Sequence, residues 1–147
     1  MSDNAIDVTS ETVIARPVAE VAAYSGDPTN APEWYANIRS VRWRTAPPLA
    51  VGSQMDFVAR FLGKELAYTY EVRELVPQQR LVMATSEGPF PMETTYTWTD
   101  VESGGTKMTL RNRGEPSGFS IIAAPLMAWA MRRANLKDLD RLRRILE

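Results

Sequence analysis

Hydrophobic and polar positions change their period twice along the 147-residue chain. Residues 6–14 read as a strand, after which Arg16-Pro17 opens a short helix with Pro17 at its first position and Val18, Val21 and Ala22 as its apolar stripe. Ser25-Gly26-Asp27-Pro28 ends that helix and starts another, with Asp27 as N-cap and Pro28 in the first turn, running toward Trp34-Tyr35. From 38 to 114 the pattern becomes two-residue alternation in β-rich sequence. Turn residues predict six further strands, at about 38–45, 53–62, 65–75, 80–87, 92–101 and 106–113.

The inward faces of these strands can be matched. A two-residue turn at Gly63-Lys64 sets Phe61 opposite Leu66, Ala59 opposite Tyr68, Phe57 opposite Tyr70 and Met55 opposite Val72, while Asp56, Arg60, Glu71 and Arg73 share the other face. Further across, Tyr70 pairs with Thr85 and Val72 with Met83. Leu81, Met83 and Thr85 then oppose Trp98, Tyr96 and Thr94, and Thr95, Thr97 and Thr99 point to water. The last hairpin, around Glu102-Ser103-Gly104-Gly105, needs a loop of odd length or a bulge to keep Met108 and Leu110 inside beside Tyr96 and Trp98.

After Ser117-Gly118 the period is helical to the last residue, a stretch of about 30 residues or roughly 45 Å at 1.5 Å per residue. Leu139, Leu142 and Leu146 form one stripe, whereas residues 119–131 are apolar on nearly every side. Pro125 either kinks this helix or begins it, in which case 119–124 is a covering segment.

Composition narrows the chemistry. The chain has no Cys and no His, which removes thiolate nucleophiles, disulfides, His-centred triads and the usual zinc sites. No cofactor is implied. A net charge of −1 gives no field for phosphate backbones, so no nucleic-acid partner is expected. The opening Met-Ser-Asp-Asn-Ala-Ile-Asp lacks the basic and apolar regions of a signal peptide, and 119–131 is too short to span a bilayer. A cytoplasmic protein of one domain, 1–147, is the expectation.

Four segments carry a family likeness: Arg16-Pro17-Val18-Ala19-Glu20-Val21; Gly26-Asp27-Pro28 with Glu33-Trp34; Leu110-Arg111-Asn112-Arg113-Gly114-Glu115-Pro116; and Leu136-Lys137-Asp138-Leu139-Asp140-Arg141-Leu142. With the element order, they make the chain resemble the START/Bet v 1-like (SRPBCC) superfamily, in particular its bacterial polyketide cyclase/dehydrase and lipid-transport-like group. The resemblance implies an α+β helix-grip fold: a seven-stranded antiparallel curved sheet wrapped around a long C-terminal helix, with two short helices after strand one. It also implies a cavity between sheet and helix, lined by the inward residues.

Those residues are Phe57, Tyr68, Tyr70, Met83, Tyr96, Trp98, Met108 and Leu110 from the sheet, Trp34 and Tyr35 from the second helix, and Leu126, Trp129 and Met131 or their neighbours from the long one. Inward apolar residues are ordinarily packing, so the set carries this reading rather than any single member. Three inward tyrosines strengthen it, because each hydroxyl needs a partner that a solid apolar core rarely supplies. Asn112, with Thr94, is the polar reader of a ligand.

The function expected is binding or transport of a hydrophobic or aromatic small molecule, lipid- or polyketide-like. A cofactor-independent cyclase or dehydratase in the same cavity is the alternative. Against it, Asp56, Glu65, Glu71 and Glu93 face solvent by strand parity, Arg111 and Arg113 read as outward, and Glu74, Glu87 and Asp100 share the inward parity but sit at strand ends. A third reading is interaction through Ile121, Met131 and the residues between them, as a homodimer contact or a lipid gate. The cations Arg132, Arg133, Lys137, Arg141, Arg143 and Arg144 suit the C-terminal end of a helix, and Asp140 and Arg144 form an i, i+4 pair.

Overall fold

A computed structural model of the chain describes residues 6–61, 63–115 and 124–147. Strand β1 (Ile6–Ile14) leads into helix α1 (Val18–Ser25), a 3-10 turn (Pro28–Asn30) and the single-turn helix α2 (Ala31–Trp34). Six strands follow: β2 (Ile38–Trp43), β3 (Gln54–Phe61), β4 (Lys64–Val76), β5 (Arg80–Glu87), β6 (Met92–Asp100) and β7 (Thr106–Gly114). The long helix α3 (Ala124–Leu146) comes last. The seven strands form one antiparallel sheet in the order β1-β7-β6-β5-β4-β3-β2, and α3 packs most extensively on β1. Register shifts in β2 and β4 add local bends that help the sheet curl around the helix. This is the helix-grip arrangement.

The α1–α2 connection forms as its residues dictate. Asp27 accepts the Thr29 N–H at 3.0 Å, capping the turn that Pro28 begins. Pro17 differs by one position from the expected first helical residue: its extended backbone makes it the N-cap, and its carbonyl accepts from Glu20 and Val21. Trp98 Nε1 donates to Ser25 Oγ at 2.9 Å, and Ser25 Oγ donates to the Val21 carbonyl at 2.6 Å, tying α1 to the sheet.

Sheet register matches the sequence reading at Tyr70–Thr85, Val72–Met83, Tyr96–Leu110 and Trp98–Met108, and the β6–β7 loop is of odd length, five residues from 101 to 105. Two hairpins differ by a slide of two residues. Phe61 pairs with Lys64, so Ala59 meets Leu66, Phe57 meets Tyr68 and Met55 meets Tyr70. The turn closes one position earlier than expected because Gly63 takes φ 78°, a conformation open to a residue without Cβ. Between β5 and β6, Leu81 meets Tyr96 and Met83 meets Thr94. There the Thr85 hydroxyl accepts the Met92 N–H at 3.0 Å, so a side chain replaces the next ladder bond. A two-residue slide leaves every side chain on its expected face.

Two further expectations change. Thr95 is only 6% exposed rather than facing water, because its direct cross-strand neighbours on the outer face are Val82 and Arg111. The shift between Val72 and Glu74 reverses parity along β4, so Glu74 lies outside and pairs with Arg80 at 3.2 Å. Helix α3 is described from Ala124, one residue before Pro125. The stretch 118–123, read as the start of a continuous helix or as part of a covering segment 119–124, lies outside the described residues.

Two packed clusters hold the layers together. The larger joins α1, α2 and the sheet to Leu139 and Leu142 of α3; the smaller joins Ile6, Val8, Leu66 and Phe90 to Met127.

Candidate functional site

A cavity of about 100 Å³ separates the two clusters. Its aromatic wall is built by β3 and β4, where Phe57 and Tyr68 stack with centroids 5.4 Å apart and Tyr70 meets Tyr68 edge-on at 4.9 Å. Strand alternation places these rings together, since Phe57 and Tyr68 are direct cross-strand partners. Ile6, Leu66, Phe90, Met92 and Met127 supply the apolar end.

A row of polar groups runs from the aromatic wall across the cavity lining. Tyr70 Oη meets Thr94 Oγ1 at 2.8 Å, and Thr94 Oγ1 donates to Asn112 Oδ1 at 2.8 Å. Asn112 Nδ2 donates to Tyr35 Oη at 3.0 Å, and Tyr35 Oη donates to Asn135 Oδ1 at 3.3 Å. This row links four elements: β4, β6, β7 and α3, with Tyr35 as the residue following α2. Burial raises the tyrosine pKa values, Tyr70 to about 12 against the pull of its Thr94 bond. Tyr35 is also pushed up, first by burial and then by the charge of Asp138. Tyr68 and Tyr96 move the same way, chiefly through desolvation. At neutral pH all four are neutral hydroxyls, suited to hydrogen bonding.

Behind the row lies the seam between α2 and α3. Asp138 Oδ1 accepts the Ala36 N–H at 3.1 Å, and burial raises the Asp138 carboxyl to about 6. The buried atoms Trp34 Nε1, Asn135 Nδ2 and Asp138 Oδ2 have no hydrogen-bond partner among the described residues. Of these three residues Asn135 alone reaches the cavity wall.

Of the residues expected around a cavity, Tyr35, Phe57, Tyr68, Tyr70, Met83, Tyr96, Asn112 and Met131 do line it. Trp34, Trp98, Met108 and Leu110 do not. They are packed in the larger cluster, Trp98 held by Ser25 and Trp34 beneath Tyr35 and Tyr96. Leu126 and Trp129 are also elsewhere, 58% and 57% exposed on the outer side of α3. Trp129 lies under the Arg133 guanidinium, 5.7 Å from its ring centroid. The inner side of α3 instead presents Met127, Met131 and Asn135, spaced four residues apart. Extending the Leu139–Leu142 stripe backward by helical steps would have found them. Asn37 and Phe90 lie outside the strands, where alternation gives no signal.

Glu93 and Arg113, both expected to face outward, contribute to the lining and are paired with each other at 2.5 Å. Glu87 pairs with Arg44 at 2.5 Å, and Arg111 with Asp7 at 2.6 Å. The expected Asp140–Arg144 pair is present at 2.5 Å. No helix among the described residues is long and apolar enough to cross a membrane.

Comparison with known proteins follows this geometry. The chain's fold is that of a START superfamily protein from Mycobacterium smegmatis, with 13% identity, TM-score 0.76 and coverage of 95% of this chain and 96% of that one. It is equally that of the Zhui aromatase/cyclase from Streptomyces sp. R1128, at 13% identity, TM-score 0.75 and coverage of 97% and 93%. A major latex-like protein from Panax ginseng shares it too, at 13% identity, TM-score 0.73 and coverage of 97% and 98%. No individually curated protein sequence matches the chain. The family described as polyketide cyclase/dehydrase and lipid transport matches residues 5–147, and this chain belongs to it.

Proposed function

We propose that the protein binds a compact hydrophobic or aromatic small molecule in the cavity between the sheet and α3. The observation that carries this reading is the aromatic wall joined to a polar row in one cavity, since shape, apolar lining and a few placed polar groups are what a small-molecule site requires. The volume of about 100 Å³ is of the same order as the roughly 150 Å³ apolar cavity that admits benzene. That scale fits a ligand body of one ring better than a fused polycycle.

Binding is favoured over a cyclase or dehydratase by the protonation states. General acid–base catalysis works best with groups poised near neutrality, and the cavity's tyrosines are shifted away from it. Asp138, the one buried carboxyl among the described residues, moves toward neutrality, but it does not line the cavity. Chemistry here would rest on confinement of a reactive ligand.

The test is organic extraction of the purified protein followed by mass spectrometry, with calorimetric titration of the extracted protein by ethylbenzene. A near-stoichiometric apolar molecule or saturable ethylbenzene binding is expected, and Ala59→Leu, which fills the lining, should abolish the latter. An empty extract together with no ethylbenzene binding would refute the reading.

A further inference from the structure

The polar row ends on an amide with hydrogens to give. Asn135 is 1% exposed, lines the cavity, and leaves Nδ2 without a partner among the described residues. A buried donor left unpaired is costly, so such a group in a cavity wall marks a position where a ligand atom completes the bond.

As placed, the row of hydrogen bonds runs in one direction and turns the nitrogen of Asn135 toward the ligand. Each hydroxyl in the row has one proton. Tyr35 Oη receives the Asn112 Nδ2 hydrogen at 3.0 Å and therefore gives its own proton to Asn135 Oδ1 at 3.3 Å. Asn112 is held in turn, because its Oδ1 accepts from Thr94 at 2.8 Å. The oxygen of Asn135 is occupied and its nitrogen is offered.

We propose that Asn135 determines ligand specificity by donating from Nδ2 to an acceptor oxygen, a ketone or other carbonyl, on a ligand with a single-ring-sized apolar body. The body occupies the space among Phe57, Leu66, Tyr68, Phe90 and Met127, and the carbonyl points toward α3. This rests on the cavity-binding reading above and specifies its ligand. Tyr35 is the positioning residue, since its proton holds the amide in the donating orientation.

Three probes of nearly equal shape separate the outcomes: ethylbenzene, acetophenone and 1-phenylethanol, titrated calorimetrically into the extracted full-length protein. Acetophenone should bind roughly tenfold more tightly than ethylbenzene, the worth of one well-formed neutral hydrogen bond. Asn135→Leu should bring the acetophenone-to-ethylbenzene affinity ratio to about one. Tyr35→Phe, which frees the amide to turn, should narrow the preference for acetophenone over 1-phenylethanol. Should Asn135→Leu fail to fold, the wild-type comparison and Tyr35→Phe still decide. Equal affinity for acetophenone and ethylbenzene in the wild type overturns the role of Asn135 while leaving the cavity reading intact. Tighter binding of the alcohol than of the ketone shows that the amide presents its oxygen, and also overturns it. Binding of none of the three removes both readings.

Discussion

Asp138 is 2% exposed, and its carboxyl receives one N–H, from Ala36 at 3.1 Å. Desolvation outweighs that bond and the attraction of Arg141, raising the group from 3.8 to about 6. Below pH 3.8 folded and unfolded forms both keep the proton, and the penalty is absent. Between 3.8 and about 6 the unfolded chain releases it first, so the folded state loses ground as pH rises. Above that window the residue costs about 2–3 kcal/mol. Asp138→Asn keeps an oxygen for Ala36 and removes the charge. Thermal denaturation should find it more stable than the parent at pH 7.5 by about 2 kcal/mol, with the gap closing below pH 4. A gap that stays constant with pH would contradict the assigned cause. Asp7 and Asp140 have the opposite sign: their Arg111 and Arg143 bonds hold them below the usual carboxylate range, so their contribution fades as the solution is acidified. Comparing variant with parent isolates Asp138 from that acid limb. At this scale the sequence was partly readable. Asn112 could be placed on the inward row by counting from Met108, whereas Asn135 and Asp138 sit among charges on α3 and look like solvent-facing residues until the helix is docked.

Secondary-structure elements were more legible than their alignment. Alternation identifies which side chains of a strand turn inward, but it repeats every two residues, so it cannot distinguish Phe57–Tyr70 from the observed Phe57–Tyr68 pairing. Turn chemistry has to settle that choice, through Gly63 in one hairpin and the Thr85 hydroxyl in the other. Helix phase failed for a related reason. The first half of α3 has large apolar residues on both sides, and Trp129, the largest, faces out while Met127 is 2% exposed. Size misled where periodicity from the leucine stripe would not have. Urea denaturation should therefore rank these residues against intuition: Met127→Ala should cost about 2–4 kcal/mol, and Trp129→Ala within about 1 kcal/mol of nothing. A larger loss at Trp129 than at Met127 would show that the helix is docked on its other face.

On the scale of the molecule, the cavity is what remains between two clusters that do not merge. The sequence points to such a space only through family likeness, because no property of single positions records a void. What is locally visible is the residue supply: with Cys and His absent, the uncharged polar side chains of the lining are Tyr, Thr and Asn. The same partition distributes stability along α3. Leu139 and Leu142 belong to the large cluster, and the end of the helix is clasped by Arg16, whose Nε donates to the Leu146 carbonyl at 2.7 Å. Ala15 N donates to Glu147 Oε2 at 2.8 Å beside it. Met127, at the other end, packs in the small cluster among the described residues. A rod held in this way hinges where it is clamped and parts where it is not. Native-state hydrogen exchange should show amides near Leu139–Leu142 opening only with global unfolding, and those near Met127–Met131 opening by a smaller, local event. Equal protection along the helix would rule this out. Read mechanically, the Arg16 clasp is a fulcrum, and under the proposed binding role a guest would enter at the opposite end of the lever, beside Met127 and Met131.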